Sequence, residues 1–103
     1  MNIDIDINTI PPQELKNYTL VDIREDQELA NDPSLIKCPH VPLSSLPGTI
    51  DFFKNNTSYL IFCHLGGRSH QLADYLNAQG IRALSVNNGV GALNNYLSKH
   101  ALA

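Results

Sequence analysis

Ile3, Ile5 and Ile7 alternate with Asp4 and Asp6, the period-two pattern of a strand with one buried face, and predict an edge strand. Pro11-Pro12-Gln13-Glu14-Leu15 predicts one short helical turn, because proline is tolerated at a helix start, where its missing N–H has no partner to lose. Tyr18 to Ile23 reads as a second strand, and Leu20, Val21 and Ile23 make it apolar on both faces, as a buried parallel strand requires. Glu25 to Ala30 predicts a short helix, stopped by the turn residues Asn31-Asp32-Pro33-Ser34. Cys38-Pro39-His40-Val41-Pro42 can be only an abbreviated or edge segment, since its two prolines donate no ladder hydrogen bonds. Leu43 to Lys54 is predicted to be helical, with Ile50, Phe52 and Phe53 facing inward and Pro47-Gly48 disturbing the first turn.

Ser58-Tyr59-Leu60-Ile61-Phe62 is the strongest strand signal and runs directly into Cys63. Ser69 to Gln79 carries Leu72, Tyr75 and Leu76 at helical spacing and ends at Gly80, a natural C-cap. Ile81 to Val86 predicts the last strand, Asn87-Asn88-Gly89 a turn, and Leu93, Tyr96 and Leu97 a final helix. Strands alternating with helices predict an α/β fold around a mainly parallel sheet.

At 103 residues the chain is predicted to be a single domain, residues 1–103, with one site. A composition 43% hydrophobic and 17% charged, with three Phe and no Trp, calls for a globule with an aliphatic core. A formal net charge of −3 leaves no basic stripe to neutralise phosphates, which argues against nucleic acid as a partner. The segment Met1 to Ile7 has neither a basic region nor an apolar run, so no membrane association and a cytoplasmic location are expected. Cys38 and Cys63 are too few for a disulfide framework and lack zinc-type spacing, so they are expected as thiols and no metal site is expected.

The chemistry concentrates in Cys63-His64-Leu65-Gly66-Gly67-Arg68-Ser69, which joins a buried strand to a helix, where open α/β sheets place their ligand sites. Glycines there let successive backbone N–H groups turn inward as a nest for negative charge, and the helix N-terminus adds partial positive charge. A thiol in such a place ionises readily: cysteine pKa values fall from about 8.5 to roughly 3.5–7.5 near helix N-termini or cations. The competing reading, a buried small hydrophobe in a shaped turn, is harder to square with Gly-Gly-Arg-Ser following the cysteine.

Val21-Asp22-Ile23-Arg24-Glu25, Pro39-His40-Val41-Pro42-Leu43, Ile61-Phe62-Cys63-His64-Leu65-Gly66-Gly67-Arg68-Ser69 and Asn88-Gly89-Val90 together resemble, in order, the successive blocks of the rhodanese homology domain. The resemblance implies a three-layer fold, a central mainly parallel sheet flanked by helices, with a six-residue active-site loop from Cys63 to Arg68. It implies a sulfurtransferase in which the Cys63 thiolate attacks the outer sulfur of thiosulfate or another persulfide donor and becomes a persulfide. The sulfur then passes to a thiophilic acceptor: cyanide, a thiol or a protein. Backbone amides of His64, Leu65, Gly66, Gly67 and Arg68 would stabilise the negative sulfur, and neither a metal nor an organic cofactor is implied. A carrier or interaction module acting only with protein partners is the alternative. A phosphatase or arsenate reductase is disfavoured, because the related Cys-x5-Arg loop is one residue longer and Phe62 rather than His precedes the nucleophile.

Within the resemblance, Arg68 either binds an anionic donor or fixes the loop through an ion pair, and His64 either guides the donor or faces solvent. Asp22, Arg24 and Ser69 are expected to brace the site. Cys38 is a possible resolving thiol, or a filler where the family usually has a small residue. Three departures stand out: Ser34-Leu35-Ile36-Lys37-Cys38 replaces the usual Gly-His-Ile segment, Leu93 replaces a frequent Trp, and Leu65 stands where thiosulfate-using members often carry a basic residue. The last weakens electrostatic capture of a dianion.

Overall fold

In the computed structural model, which describes residues 2–102, the chain runs β1 (Asp4–Ile5), β2 (Thr19–Asp22), α1 (Asp26–Asn31), β3 (Ser58–Phe62), α2 (Gly67–Ala78), β4 (Arg82–Val86) and α3 (Gly89–Lys99). Met1 and Ala103, the limits of the predicted domain, lie outside the described residues. The four strands form one sheet in the order β1-β4-β3-β2, parallel throughout.

Alternation along β3 shows how the sheet divides the core. Tyr59, Ile61 and Cys63 pack with Leu72, Ala73 and Leu76 of α2. Leu60 and Phe62 pack instead with Val90, Leu93, Tyr96 and Leu97 of α3. The uninterrupted apolar run of β3 is what a central strand covered on both faces needs. The result is a three-layer α/β fold, as predicted. Tyr96 is fully buried in the α3 layer, and its hydroxyl donates to the Ile10 carbonyl at 2.6 Å, so burial leaves no polar atom stranded.

The first strand is shorter than the alternation suggests. Only Asp4 and Ile5 pair with β4, because the Asp6 carboxylate accepts from the Asn8 amide at 3.0 Å and turns residues 7–9 into a 3₁₀ turn. β2 lies at the opposite edge, and the proline-rich segment covers part of its free side: the Asp22 amide donates to the Pro39 carbonyl and the Val41 amide to the Asp22 carbonyl.

Residues 43–54 do not form the predicted helix. They make two separate 3₁₀ turns, Leu43–Ser45 and Ile50–Phe52. Pro47 has no N–H to continue a helical ladder, and Gly48 beside it favours a break. Phe53 is buried and Ile50 half-buried, whereas Phe52 is 37% exposed. Helix α2 begins two residues earlier than expected, which puts Arg68 in its first turn rather than in the loop. It closes at Gly80 as expected, with Ile81 donating to the Leu76 carbonyl. Tyr75 lies on its exposed face, not in the core.

Candidate active site

The end of β3 delivers Cys63 into the space where the N-termini of α2 and α3 converge. The loop bends back because Gly66 adopts φ +112°, a left-handed conformation that side chains rarely accept. That reversal aims backbone donors at the sulfur: the Gly66 amide lies 3.1 Å from Cys63 Sγ and the Ser69 amide 3.4 Å. From the other side the loop is clamped by α3, whose Val90 amide donates to the Cys63 carbonyl at 2.9 Å. Gly89, at φ +70°, makes this approach sterically possible; a Cβ there would lie 2.1 Å from the His64 carbonyl oxygen.

Cys63 is only 1% exposed. Burial alone would push its thiol up, but the Ser69 hydroxyl and the amides of Ser69, Gly66 and Arg68 outweigh it, and the thiol is held below its ordinary value. The donors thus include Gly66, Arg68 and Ser69, three of them at or beyond the point where the loop becomes helix. The Ser69 hydroxyl, 3.4 Å from Sγ, is itself within 2.6 Å of the Ser85 hydroxyl on β4, and both serines are fully buried.

Removing the Ser69 hydroxyl withdraws one donor from the thiolate, so Ser69→Ala is expected to raise the Cys63 pKa. A hydrogen bond to a charged group is worth about 1.5–3 kcal/mol, and at 3.4 Å the lower end applies. Below both midpoints the thiolate fraction, and with it the rate of iodoacetamide alkylation, is expected to drop roughly tenfold. A pH–rate profile superimposable on the wild type would show that the hydroxyl does not touch the ionised sulfur.

Asp22 and Arg24 form a buried ion pair at the end of β2. Arg24 is fully buried; its Nε lies 3.1 and 3.2 Å from the two Asp22 carboxylate oxygens, its Nη2 lies 2.9 Å from Oδ2, and its Nη1 donates to the Asp32 carbonyl at 2.6 Å. Arg68 is spent in a similar way. Its two terminal nitrogens each lie 2.7 Å from a carboxylate oxygen of Glu28 on α1, a bidentate pair. The pair holds Glu28 down at about 2 and raises Arg68 further, so both are charged across the neutral range. Of the two roles open to Arg68, the structure therefore displays the ion pair. His64 and Leu65 stand exposed on the loop.

Cys38 is not brought to Cys63. It packs with the α3-side cluster, whereas Cys63 belongs to the α2-side cluster across the sheet. A groove of about 500 Å³ runs beside Cys38, lined also by Leu15, Leu20 and Leu102, but burial and the nearby Asp22 push the Cys38 thiol up to about 11. Such a thiol is neutral near pH 7 and a poor resolving nucleophile. Glu28 and Ser85 were not anticipated. Glu28 had a signal, since Glu25-x-x-Glu28 has the spacing of a capping box, and Glu28 indeed accepts the Glu25 amide at 3.0 Å. Ser85 had only its polarity within an apolar strand.

Among the described residues, no cluster of three or more His, Cys, Asp or Glu side chains could hold a metal ion, and no helix is long and apolar enough to cross a membrane.

Comparison with known proteins gives the same geometry a lineage. A crystal structure of a rhodanese-like domain protein from Staphylococcus aureus is 30% identical in sequence, covers 89% of this chain and 90% of its own, and superposes with a TM-score of 0.74. This chain belongs to the rhodanese-like family. A Staphylococcus saprophyticus protein of known structure is similar to this rhodanese-like chain at 31% identity and a TM-score of 0.71, over 86% of this chain and 89% of that one. YtwF of Bacillus subtilis strain 168, provisionally named a sulfurtransferase, is 29% identical over 73 residues, 71% of this chain and 70% of YtwF. No family model matches the sequence. The rhodanese-like chain thus carries its family's fold with a cysteine at the end of a central parallel strand.

Proposed function

We propose that this protein is a sulfurtransferase that carries sulfane sulfur as a persulfide on Cys63, taking it from thiosulfate or another persulfide donor and passing it to cyanide, a thiol or a protein. The observation that carries this reading is the Cys63 thiol, aimed at by the Gly66 and Ser69 amides and held below its ordinary value. Membership of the rhodanese-like family and likeness to a protein provisionally named a sulfurtransferase support it.

The steps follow from the position of the thiol. Because Cys63 is almost wholly covered, only the terminal sulfur of a donor, arriving end-on, can meet it. The thiolate attacks that sulfur and a new S–S bond forms. The donor's own bond to the sulfur breaks, and its remainder leaves with the electron pair as sulfite or as a thiolate. The same amides then face the negative charge of the outer sulfur, fixed in place before the reaction begins. An acceptor nucleophile takes the outer sulfur and returns Cys63 to thiolate, so the cycle is redox-neutral.

The test is an intact-mass measurement on reduced protein after exposure to thiosulfate and, separately, to an organic persulfide. A gain of one sulfur atom that dithiothreitol removes and that maps to the peptide containing Cys63 is expected. No gain from either donor would overturn the reading.

A further inference from the structure

The cations near the thiol are already taken. Arg24 is fully buried and paired with Asp22, and Arg68 is held by both oxygens of Glu28. At the loop itself stands Leu65, 73% exposed and apolar. Beside the loop a cleft of about 210 Å³ is lined by Arg24, Glu28, Asn31, Asp32 and His64. With Arg24 neutralised by Asp22 and Glu28 by Arg68, the carboxylate of Asp32 is what that wall presents without an ion-pair partner among the described residues. Beyond the backbone amides at the thiol, such a wall offers a dianion no free guanidinium, and it suits a small organic group that is neutral or positive.

We propose that the sulfur donor this site takes is a small organic persulfide whose organic group is uncharged or cationic, rather than the thiosulfate dianion, and that Glu28 sets this choice by holding Arg68. The inference rests on the sulfurtransferase reading and specifies its substrate. In the step, the Cys63 thiolate attacks the terminal sulfur of R–S–SH. The bond from that sulfur to R–S breaks, R–S⁻ departs with the electron pair, and the proton stays on the transferred sulfur, giving Cys63–S–SH. In this form the donor brings no charge, and the charge of the Cys63 thiolate departs on R–S⁻. With thiosulfate the thiolate would have to meet a dianion and release sulfite, so three negative charges would gather at a mouth with no free cation.

Glu28→Gln isolates the charge. Glutamine keeps the side-chain oxygen that accepts the Glu25 amide, and a capping box tolerates either residue. Arg68 then faces a neutral partner and its charge becomes available to an anion. The experiment measures kcat/KM for cyanide-dependent sulfur transfer from cysteamine persulfide (cationic organic group), 2-mercaptoethanol persulfide (uncharged organic group) and thiosulfate, in wild type and E28Q. Comparing the two proteins donor by donor cancels the intrinsic reactivity of each donor.

The E28Q-to-wild-type ratio is expected to be about tenfold or more higher for thiosulfate than for either organic persulfide. Leu65→Arg, a change at an exposed position, is expected to shift the ratio in the same direction and decides the matter should E28Q fail to fold. Equal ratios for all three donors in the folded variants would overturn the assignment. So would a wild type with a higher kcat/KM for thiosulfate than for both persulfides. Should no donor load sulfur on Cys63, it is the sulfurtransferase reading that falls.

Discussion

Cys63→Ser is expected to keep its fold and lose sulfur transfer entirely. The serine oxygen can accept from the Gly66 and Ser69 amides that now face the sulfur, so the loop retains its partners and the stability cost should stay near about 1 kcal/mol. What disappears is the chemistry. A serine hydroxyl is protonated throughout the neutral range and cannot form the S–S bond on which the cycle depends. Cys63→Ala is a less clean control, because it leaves the buried Ser69 amide and the half-buried Gly66 amide without their acceptor, at a cost of about 1–3 kcal/mol. Urea denaturation beside a thiocyanate assay separates the two effects. Turnover surviving in a folded C63S protein would remove Cys63 from the mechanism.

Asp22→Ala is expected to be strongly destabilising. It leaves the Arg24 guanidinium buried with the Asp32 carbonyl as its remaining partner, and also removes the acceptor of the Arg24 amide, 3.0 Å away. Breaking a buried ion pair by deleting one member costs about 3–5 kcal/mol. Against a total of about 5–15 kcal/mol for a domain, that is a large fraction. The urea midpoint should fall accordingly, with the slope unchanged. The double variant D22L/R24M, which removes both charges, is expected to recover part of the loss. An Asp22→Ala midpoint close to wild type would mean that Arg24 finds water or another carboxylate on unfolding its immediate surroundings.

The position of Cys63 was legible because three local signals agree: the apolar run of residues 58–62, the glycines after the cysteine, and the helical spacing of Leu72 and Leu76. The Asp-x-Arg block stood out in the sequence, and its ion pair is what complete burial of an arginine requires. Residues 43–54 have the apolar spacing of a helix, but Pro47 and Gly48 interrupt its hydrogen bonds, and the backbone obeys the latter. Tyr75 shares the helical spacing of Leu72 and Leu76 yet faces solvent, which a tyrosine does at little cost. What no local pattern could show is the meeting of distant segments. Glu28 reaches Arg68 across forty positions, and Ser85 reaches Ser69 across sixteen, through the order of strands in the sheet.

The loop also depends on residues that follow it by more than twenty positions. Gly89 packs against the His64 carbonyl, and the Val90 amide ties down the Cys63 carbonyl. During synthesis the cysteine is made well before these partners, so a nascent chain that has reached Cys63 but not α3 lacks the clamp that holds the loop. Less then holds the loop in the shape that aims the Gly66 and Ser69 amides at the sulfur. The shape of the loop is therefore settled only once α3 has been made and docked.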